Sequence, residues 1–134
     1  MAWSKHHMGW LATGSEDATV KVWDVTAVTG GSNSKQQAEP GTQIKPLLDL
    51  TGHSSTVEDL DWNGKDPHML GTVGDDRQIL LWDTRKPEAA AHKVEKAHED
   101  DINCIAFNPT NAYLFATGSA DKSVAVWDSR NLRR

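Results

Sequence analysis

Apolar and polar residues alternate in short runs along this chain, and the runs return at intervals. Val20 and Val22, Ile79 and Leu81, and Val124 and Val126 each put two apolar side chains on one face just ahead of a Trp. That period of two predicts half-buried strands. Further strands are expected near Val57 to Trp62, Met69 to Val73, Ile102 to Phe107 and Tyr113 to Gly118. Turn-forming clusters separate them. Glu16-Asp17-Ala18, Asp75-Asp76-Arg77 and Ala120-Asp121-Lys122 predict tight hairpins, and Asn63-Gly64-Lys65-Asp66-Pro67 and Asn108-Pro109-Thr110-Asn111 predict the turns before them. Helical periodicity has little support, so the fold class is all-β.

The strands belong to an internal repeat. Three of the six Trp precede an Asp, at Trp23-Asp24, Trp82-Asp83 and Trp127-Asp128. Ten residues before each Trp stands a Thr (Thr13, Thr72, Thr117), six before an Asp (Asp17, Asp76, Asp121) and twenty before an aromatic (Trp3, Trp62, Phe107). Twenty-nine before the second and third stands a His, His53 and His98. So many anchors at fixed offsets identify repeat architecture. They resemble a WD repeat, the four-stranded unit of a β-propeller, over nearly the whole chain. Trp82 to Trp127 is 45 residues and Trp23 to Trp82 is 59. The surplus falls in Thr29 to Pro46, which is polar, Gly/Pro-punctuated and without periodicity, the mark of a surface loop.

The expected organisation is a partial blade over 1–28, an inserted polar loop over 29–46, a blade with its preceding outer strand over 47–96, and a blade lacking its last strand over 97–134. Met1-Ala2-Trp3 aligns with the end of an inner strand, Leu60-Asp61-Trp62. Rings close with about four to eight blades, so the chain is expected to be a fragment, about three blades of a seven-bladed ring. Made alone, it would expose blade faces meant for neighbours and tend to associate.

Composition narrows the partners. With 14 Lys+Arg against 19 Asp+Glu, the net charge of -5 leaves no electrostatic footprint for nucleic acid beyond the short Arg130-Asn131-Leu132-Arg133-Arg134 run. A basic peptide or protein fits this balance better. No stretch approaches the roughly 18 apolar residues of a membrane span, and the N-terminus lacks a secretory apolar core. Cytosol or nucleus is the expected location. Cys104 is the one cysteine. Its place in the alternation Ile102, Cys104, Ala106 predicts a small core residue without redox chemistry.

In the WD family the His, Thr, Asp and Trp of one unit form a side-chain hydrogen-bond chain. The resemblance implies such chains for His53, Thr72, Asp76 and Trp82, and for His98, Thr117, Asp121 and Trp127. Two chemical readings compete with it: a catalytic Asp-His-Ser/Thr relay, and a zinc site from His53, His98 and Cys104. Neither has a further ligand or nucleophile motif placed by the sequence. Gly14, Gly71, Gly74 and Gly118 lie at repeat positions rather than in a phosphate-binding loop. No catalytic activity, cofactor, metal or small-molecule substrate is expected.

The finer resemblance lies in Val57-Glu58-Asp59-Leu60-Asp61-Trp62, in Leu81-Trp82-Asp83-Thr84-Arg85, in Asp101 to Pro109 and in Phe115 to Leu132. These look like the retinoblastoma-binding, Msi-type histone-binding proteins, which include the small subunit of chromatin assembly factor. The match is dense over Thr51 to Leu132, weaker before Val25 and absent in the inserted loop. It implies a nuclear, non-catalytic scaffold that holds core histones within chromatin assembly, deacetylase or Polycomb-type complexes. The residues matching its histone-tail site are Glu58 and Asn103, each twenty-four before its Trp, with Asp75 in a nearby turn. Carboxylate and amide oxygens suit an arginine guanidinium. The plainer alternative makes Glu58, Asp59, Asp61 and Asp75 solvated charges. Another reading comes from the Trp-Asp-x-Arg endings, Trp82 to Arg85 and Trp127 to Arg130, which resemble those of substrate receptors of cullin-type ubiquitin ligases. Arg85 and Arg130 would then meet an adaptor, unless each merely pairs with a nearby acid.

Overall fold

The computed structural model describes residues 1–26 and 43–132. The loop expected over 29–46 lies outside them except for residues 43–46. Among the described residues, eleven strands form three antiparallel sheets, and within each sheet every strand pairs with its sequence neighbours. The first sheet runs β1 (Ala2–Trp3), β2 (Trp10–Gly14), β3 (Thr19–Asp24) and β4 (Leu48–Thr51). The second runs β5 (Val57–Trp62), β6 (Met69–Gly74), β7 (Ile79–Asp83) and β8 (His92–Val94), and the third β9 (Ile102–Phe107), β10 (Leu114–Ser119) and β11 (Val124–Asp128). This is an all-β propeller arrangement of three blades.

The repeated Asp shapes the hairpin between the second and third strands of each blade. Asp17, Asp76 and Asp121 accept the backbone N–H two residues on, from Thr19, Gln78 and Ser123. The residue between is left-handed each time: Ala18 at φ 69, Arg77 at φ 59 and Lys122 at φ 72. None is a glycine, so the Asp bond and the strand pairing hold a conformation that costs an L-residue about 1–2 kcal/mol.

Alternation gives every blade two faces, and the blades stack unlike face to unlike face. Ala12, Val20, Val22 and Leu50 of the first blade bury against Leu60, Trp62, Leu70 and Trp82 of the second. The second blade's opposite face, Val73, Ile79 and Leu81, buries against Ile105, Phe107, Phe115 and Trp127 of the third. Gly71 lets this second contact close, because a Cβ there would stand 2.8 Å from the Ile105 Cδ1 and 3.0 Å from the Phe107 ring.

The inner strands are also clipped together by carboxylates. Asp59 Oδ2 accepts the Ile105 N–H at 3.0 Å and Asp61 Oδ2 the Phe107 N–H at 2.8 Å. The other Asp61 oxygen meets Lys5 Nζ of the first blade at 3.2 Å. Lys5 also donates to the Trp62 carbonyl, and Trp62 Nε1 to the Ala2 carbonyl. Asp61 thus ties all three blades, and with Asp59 it caps edge N–H groups that would otherwise face solvent or an intruding strand.

Cys104 departs from its expected place. It is exposed, because it shares with Ala106 the face on which Val124 and Val126 are exposed, while a register shift between Gly118 and Ser119 turns Ile102 to the opposite, buried face. Ile102, Ile105 and Phe107 turn inward, while Asn103, Cys104 and Ala106 turn outward.

Candidate functional site

Both expected hydrogen-bond chains are present as geometry. Trp82 Nε1 donates to Thr72 Oγ1 at 2.9 Å; Thr72 Oγ1 lies 2.7 Å from His53 Nε2, and His53 Nδ1 lies 2.8 Å from Asp76 Oδ2. Donors and acceptors balance with the imidazole proton on Nδ1. The indole then donates to the hydroxyl, the hydroxyl to Nε2, and Nδ1–H to the carboxylate. In the third blade Trp127, Thr117, His98 and Asp121 repeat the chain at 2.8, 2.8 and 3.0 Å, and Ser123 Oγ sits 3.0 Å from His98 Nδ1. Burial pushes the Asp76 carboxyl up. The bonds from His53 and from the Ser54 and Gln78 amides outweigh it, and the group titrates below the usual range. Asp121 is depressed further, first by the Ser123 hydroxyl.

Both ring nitrogens of His53 and His98 are therefore engaged in structural bonds. The first blade carries a shorter version, with Trp23 Nε1 on Thr13 Oγ1 at 2.9 Å and Asp17 bonded by Thr19. Among the described residues, no group of three or more His, Cys, Asp or Glu side chains is placed to hold a metal ion.

The rim at the starts of the inner strands carries negative charge. Glu58 is exposed near the start of β5. Its carboxyl is raised above the usual range, chiefly by the charge of Asp75 and then by desolvation, a shared hydrogen bond with Asp75, and the charges of Asp101 and Glu16. Asp101 is raised too, by burial first and then by Asp75 and Asp100. Carboxylates from the three blades thus converge on one rim. Asn103 is exposed on β9, two residues beyond Asp101.

Glu58 and Asp75 come together as the sequence suggested, but two of their neighbours were not read as site residues. Glu16 was findable: it stands seven residues before Trp23, as Asp75 stands seven before Trp82. Asp101 has Thr56 at the matching place, so the repeat gave no signal for it. Asp59 and Asp61, grouped with Glu58 as solvated charges in the plainer alternative, are instead bound to the backbone of β9.

On the opposite rim, Arg85 Nε and Nη2 reach the two oxygens of Asp83 at 3.0 and 2.8 Å. Arg130 does the same with Asp128 at 2.9 and 2.6 Å, and it covers the Tyr113 ring at 4.4 Å. These forks pull the Asp83 and Asp128 carboxyls down to about 2. Both guanidiniums stay largely exposed, so each pair adds little stability.

The WD40 family, WD domain, G-beta repeat, matches residues 1–24, 44–83 and 91–128. The chain belongs to the WD-repeat family. The matched segments carry the three sheets and the Thr–Trp bond of every blade. WD-repeat proteins are in general non-catalytic scaffolds for protein–protein interaction. The geometry of this chain agrees in kind: its most connected polar side chains are consumed in bonds within and between blades, and its acidic rim offers acceptors to a partner.

Proposed function

We propose that this WD-repeat protein is a histone-binding scaffold or chaperone subunit of nuclear chromatin complexes, of the assembly, deacetylase or Polycomb type. Its acidic rim holds an arginine of a basic histone tail. The observation that carries this reading is the crowding around Glu58, whose carboxyl is raised by Asp75, Asp101 and Glu16. Like charges held close are unfavourable by themselves, and a guanidinium placed among them relieves the repulsion and donates two parallel bonds to a carboxylate. Asn103 supplies a further amide oxygen on the neighbouring inner strand.

The test is fluorescence anisotropy with arginine-containing histone-tail peptides. Glu58→Lys is expected to weaken binding at least tenfold while leaving the fold intact by circular dichroism. Glu88→Lys, which makes the same change of net charge away from the rim, is expected to leave it unchanged. Equal affinities for the two variants would remove Glu58 from the site.

A second reading, a substrate receptor of a cullin-type ubiquitin ligase, is favoured by the identical forks that fix Arg85 and Arg130 on the opposite rim. In that case Arg85→Ala with Arg130→Ala abolishes capture of the ligase adaptor and spares the histone peptide.

A further inference from the structure

Asp75, Asp76 and Arg77 share the turn between β6 and β7, and their side chains part there. Asp76 turns in to His53 and to the Ser54 amide. Asp75 stays with its own blade. Its N–H donates to the Thr56 carbonyl at 3.0 Å, at the entry to β5, and its carboxyl shares a hydrogen bond with Glu58. Arg77 reaches the other way. With its backbone left-handed at φ 59, its carbonyl accepts the Ala97 N–H at 3.0 Å and its Nη1 donates to the Glu99 carbonyl at 3.3 Å. Both partners lie on the segment that leads into β9. One turn therefore lays a negative charge at the start of the second blade's inner strand and a positive one toward the start of the third's.

The two charges divide the acidic rim. Those that act on the Glu58 carboxyl, from Asp75, Asp101 and Glu16, are all negative. Around Asp101 burial acts first; the charges of Asp75 and Asp100 push in the same direction, and that of Arg77 pushes against them. Arg77 is exposed, so a ligand on the rim meets its charge. We propose that Arg77 is a specificity-determining residue of this rim: as the chain's own guanidinium it holds the third-blade corner, so the rim takes one cationic side chain of a ligand, at Glu58, Asp75 and Glu16, and gains little from a second. The ligand it selects is an arginine among uncharged residues rather than a run of basic ones. This rests on the histone-tail reading of the rim and names the charge pattern that the rim prefers. A second cation arriving beside Asp100 and Asp101 meets Arg77 as well, and that repulsion offsets the attraction of the two acids. Asn103, next along the rim, is an uncharged acceptor and adds no pull on a second cation.

Fluorescence anisotropy with four peptides of equal length tests this. One carries a single arginine among uncharged residues, two add a lysine on its N-terminal or its C-terminal side, and one replaces the arginine by norleucine. On the wild-type chain either added lysine is expected to strengthen binding by less than about threefold. On Arg77→Gln, the lysine on the side that runs over the third blade is expected to strengthen it by about tenfold or more. Arg77→Lys keeps the charge and is expected to match the wild type. Both variants are expected to stay folded by circular dichroism, because the side chain is exposed. A tenfold gain from either lysine on the wild type would overturn the proposal. So would Arg77→Gln changing the affinities of the single-arginine and lysine-bearing peptides by one common factor, or Arg77→Lys behaving as Arg77→Gln does. The histone-tail reading fails separately: a single-arginine peptide that binds no better than its norleucine counterpart removes the arginine site itself, and Arg77 with it.

Discussion

Thr72 and Thr13 hold the same place in successive repeats but different loads. Thr72 Oγ1 takes the Trp82 indole and reaches His53, all of it buried, whereas Thr13 takes only the Trp23 indole at a half-buried site. Thr72→Val strands a buried donor and a buried acceptor, and about 3 kcal/mol of stability is expected to go; Thr13→Val should cost about 1 kcal/mol. Urea denaturation of the two variants checks this, and equal losses would mean the His–Asp arm contributes nothing. Glu58 carries the opposite expectation. Glu58→Gln removes repulsion from Asp75 and Asp101, so the melting temperature should rise slightly while the tail peptide binds less well. A solvated, functionless charge would move neither. The raised Glu58 carboxyl also fixes the sign of the pH dependence. Binding a guanidinium favours the ionised form, so affinity should strengthen as pH rises through and above the ordinary carboxylate range, with proton release measurable by calorimetry in two buffers.

Elements in this chain are set by pairs of local signals. A hairpin forms because an Asp accepts the amide two residues on, and it closes only if the residue between turns left-handed. Lys122 is the cleanest of these residues, exposed and at φ 72. Lys122→Gly is expected to stabilise the β10–β11 hairpin by about 0.5–1 kcal/mol, the relief of strain exceeding the added chain entropy. A loss of stability would show that the strain is compensated elsewhere. The hairpins and most strand limits were legible in the alternation and the turn residues. The inward or outward sense of β9 was not. Ile105 and Phe107 face the second blade and Cys104 and Ala106 face away, while a register shift at Gly118 and Ser119 turns Ile102 inward with the former pair; which face is covered is a long-range matter that no local pattern encodes.

At the scale of the molecule, apolar faces and carboxylate clips couple the blades. Asp61 touches the first blade through Lys5 and the third through the Phe107 amide. Asp61→Ala should therefore raise amide hydrogen exchange at Phe107 and loosen the first blade in the same variant. An effect confined to one side would deny the coupling. Acid stability belongs to this scale as well. Asp76 titrates below its ordinary range when folded, so its stabilisation is complete above about pH 4 and is lost as pH falls through the lower, folded value; Asp121 behaves alike. Unfolding monitored by tryptophan fluorescence should begin below about pH 4, and Asp76→Asn should flatten that dependence.

The repeat, the strands and the hairpin turns were readable from residue types at fixed offsets, and the resemblance to WD repeats that those residues carry implied the blade and the partners of His53 and His98. They follow from a period of two and from a side-chain network whose members recur together. Tertiary structure alone decided which acids crowd the exposed rim and which are structural. Glu58, Asp59 and Asp61 stand close in sequence as equivalent charges, yet a register shift between Val57 and Asp59 turns Glu58 out to the acidic rim, away from the face of Leu60 and Trp62, while the other two reach the amides of the next blade. The same holds for Cys104, which strict alternation groups with Ile102, whereas a register shift turns Ile102 inward and leaves Cys104 on the exposed face. Local pattern fixes the period of a strand; which neighbour covers each face is set by chains that meet far apart in sequence.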